Sequence, residues 1–259
     1  MRMVGGLGLG LMWLSGCHGG LACGSEATPD APARGSSVDN VAQQVEAESL
    51  ADLAVHQQMG DHFMDSDELR EALVRGDLLA AQASARDLSR RAKTAELPAT
   101  WKPWLGQLAA LAEEVAGAPD VATAAHTMGN LGLSCAACHE KMGAAIVFSE
   151  VPPTAGDDLE SHMQRHQWAA ERMWEGLLAG DDQRFATAAD ALTEAPLRRS
   201  PSVRQPNPPT RVDTLAGDVH RLAREGKSAS DSKARARIYG KFLSACADCH
   251  TELGVRGNP

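Results

Sequence analysis

Two short strings of cysteine and histidine are the residues of this chain whose types and spacing could do chemistry. The first reads CAACH over residues 135–139, and CADCH over residues 246–250 repeats its pattern 111 residues later. On a helix, two thiols three positions apart lie one turn apart on the same face, and the imidazole follows directly. This arrangement is the signature of covalent haem attachment, in which both thiols form thioethers with the haem and the histidine binds its iron.

The candidate residues are therefore two equivalent sets. Cysteines at four positions are predicted to hold two haem c groups, and the histidine after each pair is predicted to bind the iron: Cys135, Cys138, Cys246, Cys249, His139 and His250. A thioredoxin-like dithiol would need a βαβ pattern, which the sequence does not show. A zinc site built from two Cys-x-x-Cys pairs would not need a histidine after each pair.

The sequence around the two motifs is also duplicated. Residues 71–77 match residues 175–181 at a shift of 104, and the same shift relates Met59 to Met163 and His62 to His166. We assign the seven-residue difference between the two shifts to an insertion in the proline-rich stretch 196–209 of the second copy. Among histidines outside the two motifs, only His62 and His166 recur in this way.

The composition predicts an all-α protein. Alanine, leucine, glutamate and arginine are plentiful, whereas valine, isoleucine and aromatic residues are sparse. Each copy contains four amphipathic segments with short connections, which is typical of an antiparallel four-helix bundle. The predicted segments of the first copy cover residues 45–75, 78–93 and 104–116, followed by a fourth that carries the first motif. Asp77 and Asp120 are predicted to cap the second and the fourth of these segments. The predicted segments of the second copy cover residues 157–179, 181–193, 211–225 and 230–253. We therefore predict two tandem four-helix bundles, over residues 44–150 and 151–259, each with one haem c.

The N-terminus resembles an export signal. Residues 1–16 contain Arg2 followed by an uncharged apolar run that is too short to span a membrane, which predicts a signal peptide. The string LSGC at residues 14–17 resembles the lipobox of bacterial lipoproteins, in which Cys17 would carry the lipid. An ordinary signal peptide with a chance cysteine is the alternative. Residues 17–43 are rich in small and polar side chains and predict a flexible tether.

Each repeat resembles the cytochrome c-prime and cytochrome c-556 group, in which the haem motif lies near the end of the fourth helix of a bundle. The resemblance covers residues 46–143 and 157–254. Because that group usually carries one haem per chain, this sequence resembles a tandem, diheme version of it.

The sixth iron ligand is predicted on the first helix of each bundle, which would run antiparallel to the fourth. At 1.5 Å per residue, His62 or Met59 lies within about a turn of the height of the first motif histidine, and His166 or Met163 does so in the second repeat. We predict His62 and His166 as the ligands because imidazole binds iron strongly. Met59 and Met163 are the alternative, and an open, five-coordinate iron is a third possibility.

These observations predict a membrane-tethered periplasmic electron carrier that is not an enzyme. The alternatives are a gas-binding or sensing cytochrome with an open iron and, ranked lower, a diheme peroxidase-type enzyme. The net charge of −9 disfavours nucleic-acid binding. It favours redox partner proteins with a basic surface.

Overall fold

The computed structural model describes residues 36–193 and 210–255, with side chains from residue 52 onward. These residues form α-helices and one short 3₁₀ helix without strands, which confirms the prediction of an all-α protein. The predicted signal peptide, Cys17, residues 18–35 of the tether and the insertion at 196–209 lie outside the described residues.

Eight α-helices follow one another along the described chain. In the first repeat they are α1 (Ser36–Val74), α2 (Leu78–Thr94), α3 (Lys102–Ala116) and α4 (Val121–Met142), with the 3₁₀ helix Ala99–Trp101 before α3. In the second repeat they are α5 (Leu159–Ala179), α6 (Asp182–Ala191), α7 (Arg211–Lys227) and α8 (Ser232–Glu252). Helix α1 begins at Ser36, inside the segment that the sequence predicts as tether.

The chain divides into residues 1–48, of which only the start of α1 is described, and one compact unit of residues 49–259.

Aspartate side chains begin most of these helices. Asp120, for example, accepts a hydrogen bond from the Thr123 backbone N–H at 2.7 Å, which satisfies an amide that has no partner inside α4. This bond lowers the pKa of the Asp120 carboxyl. The same type of cap precedes α2, α5, α6 and α8, at Asp77, Asp158, Asp181 and Asp231. The caps predicted at Asp77 and Asp120 are therefore confirmed.

The two motif helices, α4 and α8, cross at the centre of the unit. A Cβ atom on Gly129 would overlap the Ala236 carbonyl oxygen, and one on Gly240 would lie 2.8 Å from the Ala125 carbonyl oxygen. Gly129 and Gly240 are counterparts in the two repeats, and so are Ala125 and Ala236. The crossing is therefore symmetric, and its closeness requires glycine on both helices.

Helix α5 packs against both motif helices. The buried Trp174 ring stacks on Tyr239 of α8 with centroids 5.9 Å apart, and a Cβ on Gly132 of α4 would lie 2.8 Å from the Trp174 ring. The Tyr239 hydroxyl donates a hydrogen bond to the Ala170 carbonyl at 3.1 Å. Buried side chains of both repeats consequently form one continuous core.

Candidate functional site

The cysteines of both motifs lie in the last three turns of α4 and α8. None of the four forms a disulfide. Burial raises the pKa of each thiol, for Cys135 and Cys246 to about 12, so all four are protonated at neutral pH. A redox dithiol or a zinc site depends on thiolate, which these surroundings disfavour.

Both motif histidines are held by backbone carbonyls. His139 Nδ1 lies 3.0 Å from the Leu178 carbonyl oxygen, and His250 Nδ1 lies 2.8 Å from that of Val74. Because a carbonyl oxygen can only accept, Nδ1 must carry the proton in each ring, and Nε2 keeps its lone pair in the neutral ring. This is the orientation and tautomer that a metal-binding histidine needs.

His166 is the predicted distal ligand of the second repeat, whose motif histidine is His250. Its pKa is lowered to about 3, first by burial and then by the charges of His162, His220 and His250. Its Nε2 atom is buried and makes no hydrogen bond within the described structure. His166 is therefore a neutral imidazole at physiological pH, with a nitrogen available to bind a metal.

Two buried histidines join the half-buried His166 in a cluster. The rings of His162 and His166, one turn apart on α5, have centroids 4.4 Å apart, and His220 of α7 lies 5.5 and 5.3 Å from them. One ring nitrogen from each lies within 4.8 Å of the other two. His220 donates its Nδ1 proton to the Leu192 carbonyl at 2.8 Å. Three imidazoles in this arrangement are a donor set for a transition metal.

His162 and His220 have no histidine counterpart in the first repeat, so the duplication does not single them out. The spacing of His162 and His166, four residues apart on a predicted helix, was a usable signal. No sequence signal indicated His220, because it reaches the cluster from a different helix.

His62, the predicted distal ligand of the first repeat, has different neighbours. It is 8% exposed, and the Gln58 amide nitrogen lies 3.2 Å from its Nε2. Burial lowers the pKa of His62, and the charge of Asp65 partly opposes this effect. Gln58 is the counterpart of His162, so the imidazole beside His166 is replaced by an amide here. The alternative ligands Met59 and Met163 are half-buried on α1 and α5.

The segment between the repeats covers the outer side of α5 and α6. The Trp168 indole N–H donates to the Val151 carbonyl at 2.7 Å, and Arg184 donates to the Phe148 carbonyl at 3.1 Å. A surface cleft between this segment and the two helices contains Pro152 and Thr187 but no motif residue. The candidate site therefore lies at the motif histidines and the histidine cluster, not at this cleft.

Comparison with protein-family models, with curated proteins and with solved structures finds no match to this chain. None of the described helices is both long and apolar enough to cross a membrane.

Proposed function

We propose that this protein is a diheme cytochrome c that transfers electrons, tethered to a membrane in the periplasm. The observation that carries the proposal is the anchoring of both motif histidines through Nδ1, at His139 and His250, which leaves Nε2 for iron. This anchoring occurs at matching positions in two repeats, each beside a pair of protonated cysteine thiols.

The attachment chemistry requires only the residues of each motif and the haem itself. Each thiol would add across one vinyl group of the haem, forming a sulfur–carbon bond while the thiol hydrogen goes to the neighbouring carbon. Neither an oxidant nor a reductant is consumed. Cys135 and Cys138 would hold the first haem, and Cys246 and Cys249 the second. A bound haem would supply one-electron chemistry, and the side chains that bind its iron, with their hydrogen bonds, would adjust its potential.

On the distal side we propose His62 for the first haem and His166 for the second. The support is strongest for His166, a neutral and half-buried imidazole whose Nε2 atom is buried and makes no hydrogen bond within the described structure. With His62 and His166 as ligands, each iron would keep the same ligand set in both oxidation states, which would suit electron transfer. Met59 and Met163 are the alternative ligands, and a methionine ligand would raise the potential.

The proposed role is that of a carrier with a protein partner. The acidic chain, with 34 acidic and 25 basic residues, favours a partner with a basic surface. A lipid on Cys17 followed by a tether would hold the carrier near the membrane while it contacts that partner.

The test is a count of covalently bound haems. The protein, expressed with a c-type haem attachment system, is expected to retain two haem masses after acid–acetone extraction. Replacing Cys135 and Cys138 by alanine should remove one haem, and replacing Cys246 and Cys249 should remove the other. A wild-type protein that retains one haem, or none, would contradict the proposal.

The three-histidine cluster favours a second candidate, a non-haem transition-metal site. Zinc or cobalt would bind His162, His166 and His220 with a fourth position open. Cobalt absorption provides the test, in a variant whose four motif cysteines are alanine. Stoichiometric cobalt binding that His220→Gln abolishes, and that the exposed control His56→Gln keeps, would favour this candidate. Absence of binding would exclude it.

A further inference from the structure

Each motif histidine donates a hydrogen bond to a residue of the other repeat. His250, in the second repeat, donates to Val74 at the end of α1, which belongs to the first repeat. His139, in the first repeat, donates to Leu178 near the end of α5, which belongs to the second. Val74 and Leu178 are counterparts at the shift of 104 residues. Each motif histidine is thus held by the first helix of the other repeat.

The end of α1 is seated closely against the second motif. Gly76 has a left-handed φ of +72°, and a Cβ on it would lie 2.8 Å from Thr251 Oγ1 and 3.3 Å from the Ala247 carbonyl oxygen. Ala247 lies between the two cysteines of this motif. The counterpart Gly180 has a φ of +63°, and its nearest neighbour is the Cβ of Ala136 between the cysteines of the first motif. Because Gly76 has no side chain, the end of α1 lies close enough to the second motif for the Val74 carbonyl to accept the hydrogen bond from His250.

The buried Arg70 side chain lies between α1 and α5, the first helices of the two repeats. Arg70 of α1 is 1% exposed and lies 2.8 Å from Asp67 and 3.9 Å from Glu171 of α5. The Arg70 guanidinium of α1 therefore forms a long ion pair with α5, in addition to its closer pair within α1.

We propose that each haem of this diheme protein is positioned across the repeats. The end of the first helix in one repeat orients the iron-binding histidine of the other repeat and raises the electron-donating power of its Nε2. A hydrogen bond from Nδ1–H to a carbonyl has this effect on a metal ligand, and it lowers the reduction potential by favouring ferric iron. The inference rests on the proposed function, since it requires a haem on each motif.

The experiment uses a protein that keeps only the second haem, Cys135→Ala/Cys138→Ala. In this background we add Gly76→Val, a change in the first repeat that pushes the end of α1 away from Thr251 and lengthens the bond to His250. The reduction potential of the remaining haem is expected to rise. At a fixed applied potential, the ratio of reduced to oxidised haem should increase. We take about tenfold as the expected size, which is the smallest loss of metal affinity or activity that removing such a partner typically causes.

Gly143→Val is the matched control. Gly143 also has a left-handed φ, +67°, but a Cβ there meets nothing within 4 Å. Gly143→Val introduces the same backbone strain without a close contact. It should therefore leave the potential of the second haem unchanged. In the complementary background Cys246→Ala/Cys249→Ala, Gly76→Val should leave the potential of the first haem unchanged.

If Gly76→Val does not fold, Gly76→Ala replaces it. Its potential shift should then be reversed by adding Thr251→Ala, which removes the atom nearest to the new Cβ. A folded Gly76 variant with an unchanged second haem, or one whose first haem changes instead, would overturn the inference. If neither single-motif protein retains a covalent haem, the proposed function itself fails, which is a different result.

Discussion

His62 and His166 occupy matching positions in the two repeats but have different neighbours. His166 lies beside two other imidazoles, whereas His62 accepts a hydrogen bond from the Gln58 amide, and the charges of Asp65 and Arg91 act on its pKa. The same residue type in a repeated position therefore has two environments. Two haems in these sites would differ in potential, because the hydrogen bonds and burial around a haem ligand influence its potential.

Removing one predicted distal ligand should leave only the iron of that haem without its sixth ligand. His166→Ala is expected to convert only the second haem to a high-spin form that binds carbon monoxide, and His62→Ala only the first. Absorption spectra of the reduced protein with and without carbon monoxide measure this. Met163→Leu and Met59→Leu are the controls and should leave the spectra unchanged. High-spin haem in the methionine variants, with unchanged histidine variants, would identify the thioether as the ligand.

Burial of His166 predicts a loss of stability in acid when no iron holds the ring. Its folded pKa is about 3 against an ordinary value of 6.5. Between these values the unfolded chain binds a proton that the folded protein does not, so the free energy of unfolding falls as pH decreases from about 6.5. The measurement is urea unfolding of Cys246→Ala/Cys249→Ala from neutral to acidic pH. Adding His166→Leu should flatten the dependence, and an equally steep dependence would contradict this assignment.

Among the secondary-structure elements, the crossing of α4 and α8 is the contact most sensitive to a small change. Both helices bring glycine to it, at Gly129 and Gly240, and each glycine faces backbone of the other helix. Glycine lowers the intrinsic stability of a helix. The close approach is therefore obtained at the expense of local helix propensity.

Replacing Gly129 or Gly106, two glycines within helices, by alanine should change the free energy of unfolding in opposite directions. Gly129→Ala places a methyl group on the Ala236 carbonyl oxygen and should destabilise the fold by about 1–3 kcal/mol. Gly106→Ala on α3 meets nothing within 4 Å and should stabilise it by about 0.5–1 kcal/mol through helix propensity. Urea midpoints measure both. Gly129→Ala as stable as wild type would show that α4 and α8 do not cross this closely.

At the scale of the whole molecule, association with a membrane should depend on Cys17. The expectation follows from the LSGC string at residues 14–17 and the small, polar residues after it. Wild-type protein should fractionate with membranes, and Cys17→Ser should release it into the soluble fraction. Cys23→Ser is the matched control and should remain with the membranes. Equal membrane binding by the Cys17 variant would exclude the lipid anchor.

The all-helical fold and much of the site could be predicted from local sequence. Helix-forming composition, aspartate caps such as Asp77 and Asp120, and glycine after the first helix act over a few residues, so each is visible in a short window. The placement of two thiols and an imidazole on one helix end is also local. It depends only on helical spacing, and the structure puts both motifs at the ends of α4 and α8.

Only the tertiary structure shows against which helices the first helix of each repeat packs. In a duplicated chain, α1 and α5 present similar faces, so the sequence pattern accommodates pairing within a repeat and pairing across repeats almost equally well. The difference lies in packing between distant residues, such as Val74 with His250, 176 positions apart, and Gly129 with Ala236. His220 reached the histidine cluster for the same reason, because the packing of α7 brings it beside α5. No local pattern contains that information.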